Sequence, residues 1–186
     1  MTVTATGKGT LQWSARLRYA PDLESLTPLD AGFTVERNYL PYTKAGAKRA
    51  APATTFKAGD LVRVVVMYAT AQARTNVVID DPLPAGLEAL NAALENTSVA
   101  DNAGSTDSAS SDGIWYAGID RTEIRDDRVL LFATTLEPGM HEYSYVARAT
   151  APGTFVVPPA QAEEMYRPEV FGRNGTVRIT VTSPTG

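Results

Sequence analysis

The chain holds one histidine, no cysteine and 21 acidic residues among 186, so its chemistry must be sought among few groups. His141 stands beside Glu142, just after Pro138-Gly139, and a histidine-based triad would need a nucleophile and an orienting acid converging on it. No Gly-x-Ser-x-Gly element supplies that nucleophile. His141 therefore reads as an exposed residue at the start of a strand, and the chain reads as non-enzymatic. Asp80-Asp81 and Asp126-Asp127 are the acidic pairs that could suggest calcium, yet neither has the alternating acidic spacing of an EF-hand loop. Both read as turn chemistry, where Asp bonds the nearby backbone, and no metal or cofactor is expected. Zero cysteines exclude disulfides, thiolate zinc sites and cysteine nucleophiles within these residues. A net charge of −4 provides no electrostatic footprint for nucleic acid. Asn96-Thr-Ser98 and Asn174-Gly-Thr176 match the glycosylation triplet, a pattern that chance supplies often. Lys and Asn on adjacent strands could form an internal isopeptide bond, but no spacing singles out a pair.

The segment Thr154–Arg173 is the most informative. An apolar run stops at Pro158-Pro159, an acidic, small-residue stretch presents Met165 and Tyr166, and Pro168 follows. Prolines fix φ and remove backbone donors, so Pro158, Pro159 and Pro168 are expected to stiffen a loop and hold it out of any sheet. Met165 and Tyr166 either pack into the domain's own core or cover something outside it; residue type alone leaves both open.

Strands must position these groups. Leu11, Trp13, Ala15, Leu17 and Tyr19 alternate with polar residues at the strand period, placing Trp13 in the core. Phe33, Val35, Arg37 and Tyr39 continue the theme until Pro41. Leu61–Tyr68 is rich in β-branched residues and suits a central strand buried on both faces. Further strands are expected at 77–79, 129–132, 143–147, 154–157 and 176–181. Turns are expected at Lys57-Ala-Gly-Asp60, Asp80-Asp-Pro82, Arg125–Arg128 and Glu137-Pro-Gly139. Leu87, Leu90 and Leu94 recur at helical spacing among alanines, which predicts a short helix from about Ala85 to Glu95. Residues 97–113 and 45–53 read as surface loops. The fold class is mainly β: an antiparallel β-sandwich with one short helix. Residues 1–10 are expected to be a connector from a preceding domain, and 11–186 one domain.

Several stretches, in order, resemble the C-terminal macroglobulin-like domain of bacterial alpha-2-macroglobulins. They are Asp22-Leu-Glu-Ser-Leu26, Gly32-Phe-Thr-Val-Glu-Arg-Asn-Tyr39, Lys57–Val62, Asp80–Asn91, Trp115-Tyr116, Glu123–Arg128, Tyr145–Thr150 and the Thr154–Arg173 segment. Together they cover most of Leu11 to Val181. The resemblance implies a module of a protease trap (an endopeptidase inhibitor serving bacterial defence) exported to the periplasm or cell surface. In that family a thioester sits at a Cys-x-x-Gln element of a separate domain. A loop of the final domain, with a Met-Tyr pair in a Glu-Met-Tyr context, shields it until a bait region is cut. Glu164-Met165-Tyr166 matches that context, so the loop of residues 160–173 is the implied lid. The implied partners are the thioester domain, the neighbouring macroglobulin-like domains, and target proteases through the parent chain. Such a lid makes physical sense: a dry cover keeps water from a reactive acyl group, and a polarizable thioether moulds to irregular surfaces.

A different class of function is a free-standing β-sandwich adhesin or carbohydrate-binding module. Trp13, Trp115 and Tyr116 would then be the candidate ligand platform.

Overall fold

The computed structural model describes residues 4, 6–10, 12–15, 22–43, 50–90 and 118–183. The β-branched and aromatic runs of the sequence become strands, in chain order β1 Leu29–Ala31, β2 Thr34–Pro41, β3 Thr55–Lys57, β4 Leu61–Thr70, β5 Arg74–Pro82, β6 Leu87–Ala89 and β7 Arg121–Ile124. They continue with β8 Arg128–Leu136, β9 Gly139–Ala149, β10 Gly153–Val157, β11 Gln161–Glu164, β12 Arg167–Arg173 and β13 Val177–Thr182. A six-stranded sheet runs β1-β12-β11-β5-β8-β7, a four-stranded sheet β2-β4-β9-β6, and a three-stranded sheet β10-β13-β3. Every strand pair is antiparallel except β13 with β3.

The inward residues of the sheets form one apolar cluster. Val62, Val64, Val66 and Tyr68 of β4 meet Val77 and Ile79 of β5, Val129 and Leu131 of β8, Ala162 of β11, and Ile179 and Val181 of β13. Sheets packed face to face over a shared core are a β-sandwich, as expected. The central position of β4, between β2 and β9, matches its β-branched composition. Burial is complete on its inner face, but the expected burial of the outer face is met only in part: Val65 is buried, whereas Leu61, Arg63 and Met67 are half-buried.

Several local expectations fail. Leu87–Ala89 is a strand, not part of a helix, and residues 91–95 lie outside the described residues. A turn from Pro84 to Leu87 leads into it, and Leu87 and Ala89 then pair with Ala149 and Ala147 of β9. Leu87 is buried while Glu88 is exposed, a period of two that the longer leucine spacing had masked. The open edge of β9 offers backbone partners that an isolated two-turn helix could not match. Gly86 is needed at this crossing because a Cβ there would lie 2.3 Å from the Phe155 ring.

The alternating segment at the N-terminal side does not form a strand over Gln12–Ala15, and Trp13 is 62% exposed rather than core. Ala15, of the same parity, is exposed as well. Asp80-Asp-Pro82 is not a turn but the last part of β5, and Asp81 is buried in the core. Finally, the segment between the prolines does join a sheet, as described next. The turns at Lys57–Asp60, Arg125–Arg128 and Glu137–Gly139 are where the sequence placed them. The loop at 97–113, most of 45–53, and Trp115 and Tyr116 lie outside the described residues.

Candidate functional site

Pro158 and Pro159 carry the chain from β10 in the three-stranded sheet to β11 in the six-stranded sheet. They restrict φ at this crossover, and the Pro158 carbonyl accepts a 2.8 Å hydrogen bond from Arg37 Nη2. The Ala160 N–H donates to Asn174 Oδ1 at 2.7 Å, so the start of β11 is tied on both sides. β11 then runs between β5 and β12 as an interior strand of the sheet. The expected loop of residues 160–173 is thus a β-hairpin, whose two-residue tip is Met165-Tyr166. Proline keeps a segment out of a sheet only where a ladder donor is needed. Pro158 and Pro159 precede the strand, while Pro168 lies in an irregular part of β12 where no ladder bond is required.

That irregularity is explicit in the register. Glu164 pairs with Arg167, but Glu163 pairs with Phe171, leaving Pro168, Glu169 and Val170 without a counterpart on β11. A bulge of this kind suits a tip without glycine. Asn76 is the only described non-glycine residue with positive φ, so Met165 and Tyr166 both have negative φ. Two-residue tips of that type splay the strands they join, and the bulge absorbs the splay.

Met165 is 43% exposed and Tyr166 is 80% exposed. Tight turns favour Gly, Asn, Asp and Pro, so a thioether and a phenol ring in this position oppose local preference. Side chains that break a local rule without burial to offset it mark a surface selected for something else.

Beneath the tip the side chains are ordered. Ala162 and Glu164 point inward from β11, and Glu164 is only 2% exposed. Its carboxylate accepts from Arg167 Nε at 2.5 Å and lies 3.8 Å from Arg74 Nη1. Arg74 is braced by Thr70 Oγ1 at 3.0 Å and the Gly32 carbonyl at 3.4 Å, with its guanidinium 5.6 Å from the Phe33 ring centroid. The Met165 N–H donates to the Asn76 carbonyl at 2.9 Å, made available by the left-handed φ of 52° at Asn76. Neighbouring Asp30 is held below the usual carboxylate range, chiefly by the Gly32 N–H and then by the Thr34 hydroxyl. Asp30, Thr34, Thr70 and Arg74 line a groove of about 410 Å³ at this end of the sandwich.

From sequence Glu164 enters only as the first residue of the Glu-Met-Tyr context, without a role of its own, and Arg74 not at all. Glu164 could have been found had the segment been read as a strand, since Ala162 and Glu164 share its buried parity. Nothing local points to Arg74.

Other expected sites are structural. His141 opens β9 as anticipated but is buried, 3% exposed rather than exposed, because it stacks on Tyr68 with centroids 5.5 Å apart. Its Nε2 lies 2.8 Å from the Glu137 carbonyl oxygen. Asp81 forms a buried pair with Arg37 at 2.6 Å and accepts from the Tyr145 hydroxyl at 2.7 Å. Asp80 is raised by burial, which outweighs the pull of Arg128 at 2.9 Å. Asp126 and Asp127 do form the tip of the β7–β8 hairpin, closed by the Arg125 N–H to Arg128 carbonyl bond.

Residues 32–169 match the family described as "Bacterial Alpha-2-macroglobulin MG10 domain". An alpha-2-macroglobulin homolog of Nostoc is 40% identical over 106 residues, 57% of this chain and 5% of that protein. A Dictyostelium discoideum protein, circularly permutated Ras protein 2, is 27% identical over 178 residues, 94% of this chain and 4% of its own. The crystal structure of Salmonella alpha-2-macroglobulin reacted with methylamine matches with a TM-score of 0.62 and 26% identity, covering 88% of this chain and 10% of that one. The chain thus spans about one-twentieth of the length of these first curated relatives.

Proposed function

The chain belongs to the bacterial alpha-2-macroglobulin MG10 domain family, and from that premise we propose that its β11–β12 hairpin is a lid over a thioester held by another domain of the full-length protein. The observation that carries this reading is the outward presentation of Met165 and Tyr166, 43% and 80% exposed, on a braced two-residue tip. The Salmonella relative was crystallised after reaction with methylamine, a small amine nucleophile of the kind that opens thioesters, and this supports acyl chemistry in the parent. The domain itself performs no bond-making step. It lowers water and amine access to the reactive group while docked, and releases it when cleavage of a bait segment rearranges the domains. A protease nucleophile would then be acylated, which makes the parent a protease trap. Its place would be the periplasm or cell surface, and its partners the thioester domain, the adjacent macroglobulin-like domains and the trapped proteases.

The size of the effect follows from exposed area. A tyrosine offers roughly 200 Å², and four-fifths of that, buried on docking at about 25 cal/mol per Å², sets a ceiling of about 4 kcal/mol. If half is realised, loss of the ring costs about 2 kcal/mol, or roughly a 30-fold larger undocked fraction. Tyr166→Gly in the full-length protein should therefore raise methylamine uptake before any proteolysis by roughly 30-fold, and Met165→Ala by less. Equal uptake in wild type and Tyr166→Gly, with both proteins folded, removes the lid role.

One observation favours a second reading. The Dictyostelium relative matches 94% of the chain under a name that is not an alpha-2-macroglobulin, which motivates a role outside traps. An adhesin or carbohydrate-binding role would use exposed aromatics; of the platform candidates Trp13, Trp115 and Tyr116, Trp13 lies among the described residues and is 62% exposed. Glycan binding that Trp13→Ala abolishes would support it.

A further inference from the structure

We infer that Glu164, held by Arg74, is the positioning residue of the hairpin tip: the buried ion pair sets where Met165 and Tyr166 point. Its consequence for shielding rests on the lid reading above, whereas the pin itself does not. The backbone alone leaves the tip under-determined. On the β5 side the ladder ends with Glu164 opposite Val77, and the Met165 N–H to Asn76 bond is the last backbone tie. On the β12 side the register breaks between Glu163 and Glu164, so the ladder does not hold Pro168–Val170 against β11. A two-residue turn of Met and Tyr has no local preference strong enough to compensate.

The Glu164 side chain supplies the missing restraint. It points inward, 2% exposed, directly before the tip. One oxygen accepts from Arg167, whose own side chain is 56% exposed and therefore a loose partner. The other oxygen, Oε1, is buried without a hydrogen bond and has Arg74 Nη1 at 3.8 Å. Arg74 is the firm side of the pair: 12% exposed, tied to the end of β4 through Thr70, and to the β1–β2 link through the Gly32 carbonyl. Gly32 permits this approach, because a Cβ there would meet Val170 Cγ1 at 2.8 Å and Arg74 Nη2 at 3.0 Å. The contact thus couples the tip to the β4–β5 corner and to β12 at once. It acts through charge rather than through a hydrogen bond, so an isosteric neutral residue should release it.

Amide hydrogen exchange followed by NMR on the 186-residue chain tests this, comparing wild type, Glu164→Gln, Arg74→Met and the double variant. Met165 should exchange at least about tenfold faster in each single variant, with Val64 and Ile79 unchanged and the double no worse than either single. Unchanged Met165 exchange in a folded Glu164→Gln protein overturns the proposal. So does an equal acceleration of Val64 and Ile79, which would make the pair a general stabiliser. Methylamine uptake by the full-length protein separates the two ideas. If Glu164→Gln frees the Met165 amide while Tyr166→Gly leaves uptake unchanged, the pin stands and the lid reading falls. If Tyr166→Gly raises uptake while Glu164→Gln leaves the Met165 amide as in wild type, the lid stands and the pin falls.

Discussion

Replacing Asp81 by Asn should destabilise this domain far more than any surface charge change. Asp81 lies in the core, 1% exposed, against an Arg37 side chain with no solvent exposure. The pair is 2.6 Å apart, and the second carboxylate oxygen accepts from the Tyr145 hydroxyl. Arg37 also donates to the Pro82 and Pro158 carbonyls, so this cluster fastens β2 to the end of β5 and to the crossover before the hairpin. Asn keeps the shape but leaves a buried guanidinium without its counter-charge, which costs about 3–5 kcal/mol. For a chain of this length each kcal/mol lowers Tm by about 2–4 °C, so the expected fall is about 6–20 °C. Urea denaturation of wild type and Asp81→Asn, with the slope compared to check two-state behaviour, measures the loss directly. A triple variant, Arg37→Met/Asp81→Leu/Tyr145→Phe, removes charges and hydroxyl together and should fall within about 2 kcal/mol of wild type. The cost would then belong to stranding a charge, not to losing three side chains. A loss under about 1 kcal/mol for Asp81→Asn refutes the reasoning, because Arg37 would then be hydrated or otherwise paired.

Burial raises Tyr39, Tyr68 and Tyr145 well above the ordinary phenol value. A raised folded pKa means their contribution is fully present below about pH 10 and is lost as pH climbs above it, since only the unfolded chain ionises easily there. Absorbance at the phenolate band should show these three rings titrating together with alkaline unfolding, and smooth titration of every tyrosine near pH 10 would contradict their burial. Gly172→Ala would set a Cβ 1.8 Å from the Phe33 carbonyl oxygen, a clash with backbone in the link between β1 and β2. It should cost about 3 kcal/mol or displace the hairpin, whereas Gly59→Ala, with open space around it, should cost only about 1–2 kcal/mol of backbone strain. Equal midpoints for the two variants would show that Gly172 of β12 does not lie against the Phe33 backbone.

Much of the fold was legible because period-two patterns and turn residues report local geometry. β4, β8 and β9 were visible as β-branched or alternating runs, and the turns between Lys57 and Asp60 and between Arg125 and Arg128 as Asp- and Gly-rich punctuation. The failures share a cause. Leu87 and Leu90 carry a helical spacing over a stretch too short to be helical alone, and pairing with β9 decided the outcome. Trp13 has the pattern of a core residue, yet it is exposed among the described residues. The prolines near the candidate site point away from a sheet by residue type, yet each stands where no ladder donor is needed.

The sequence by itself determined the fold class, the order of most strands, the family, and the unusual Met165-Tyr166 pair, because these rest on residue type and on neighbours a few positions apart. Only the tertiary structure turned that segment into a hairpin, with its tip outward and its Glu164 inward. It alone joined Arg37 to Asp81 across 44 positions and brought Arg74 beneath the tip. Such contacts depend on strand order and register between distant segments, and a one-residue slip of either strand would send the same side chains to the opposite face.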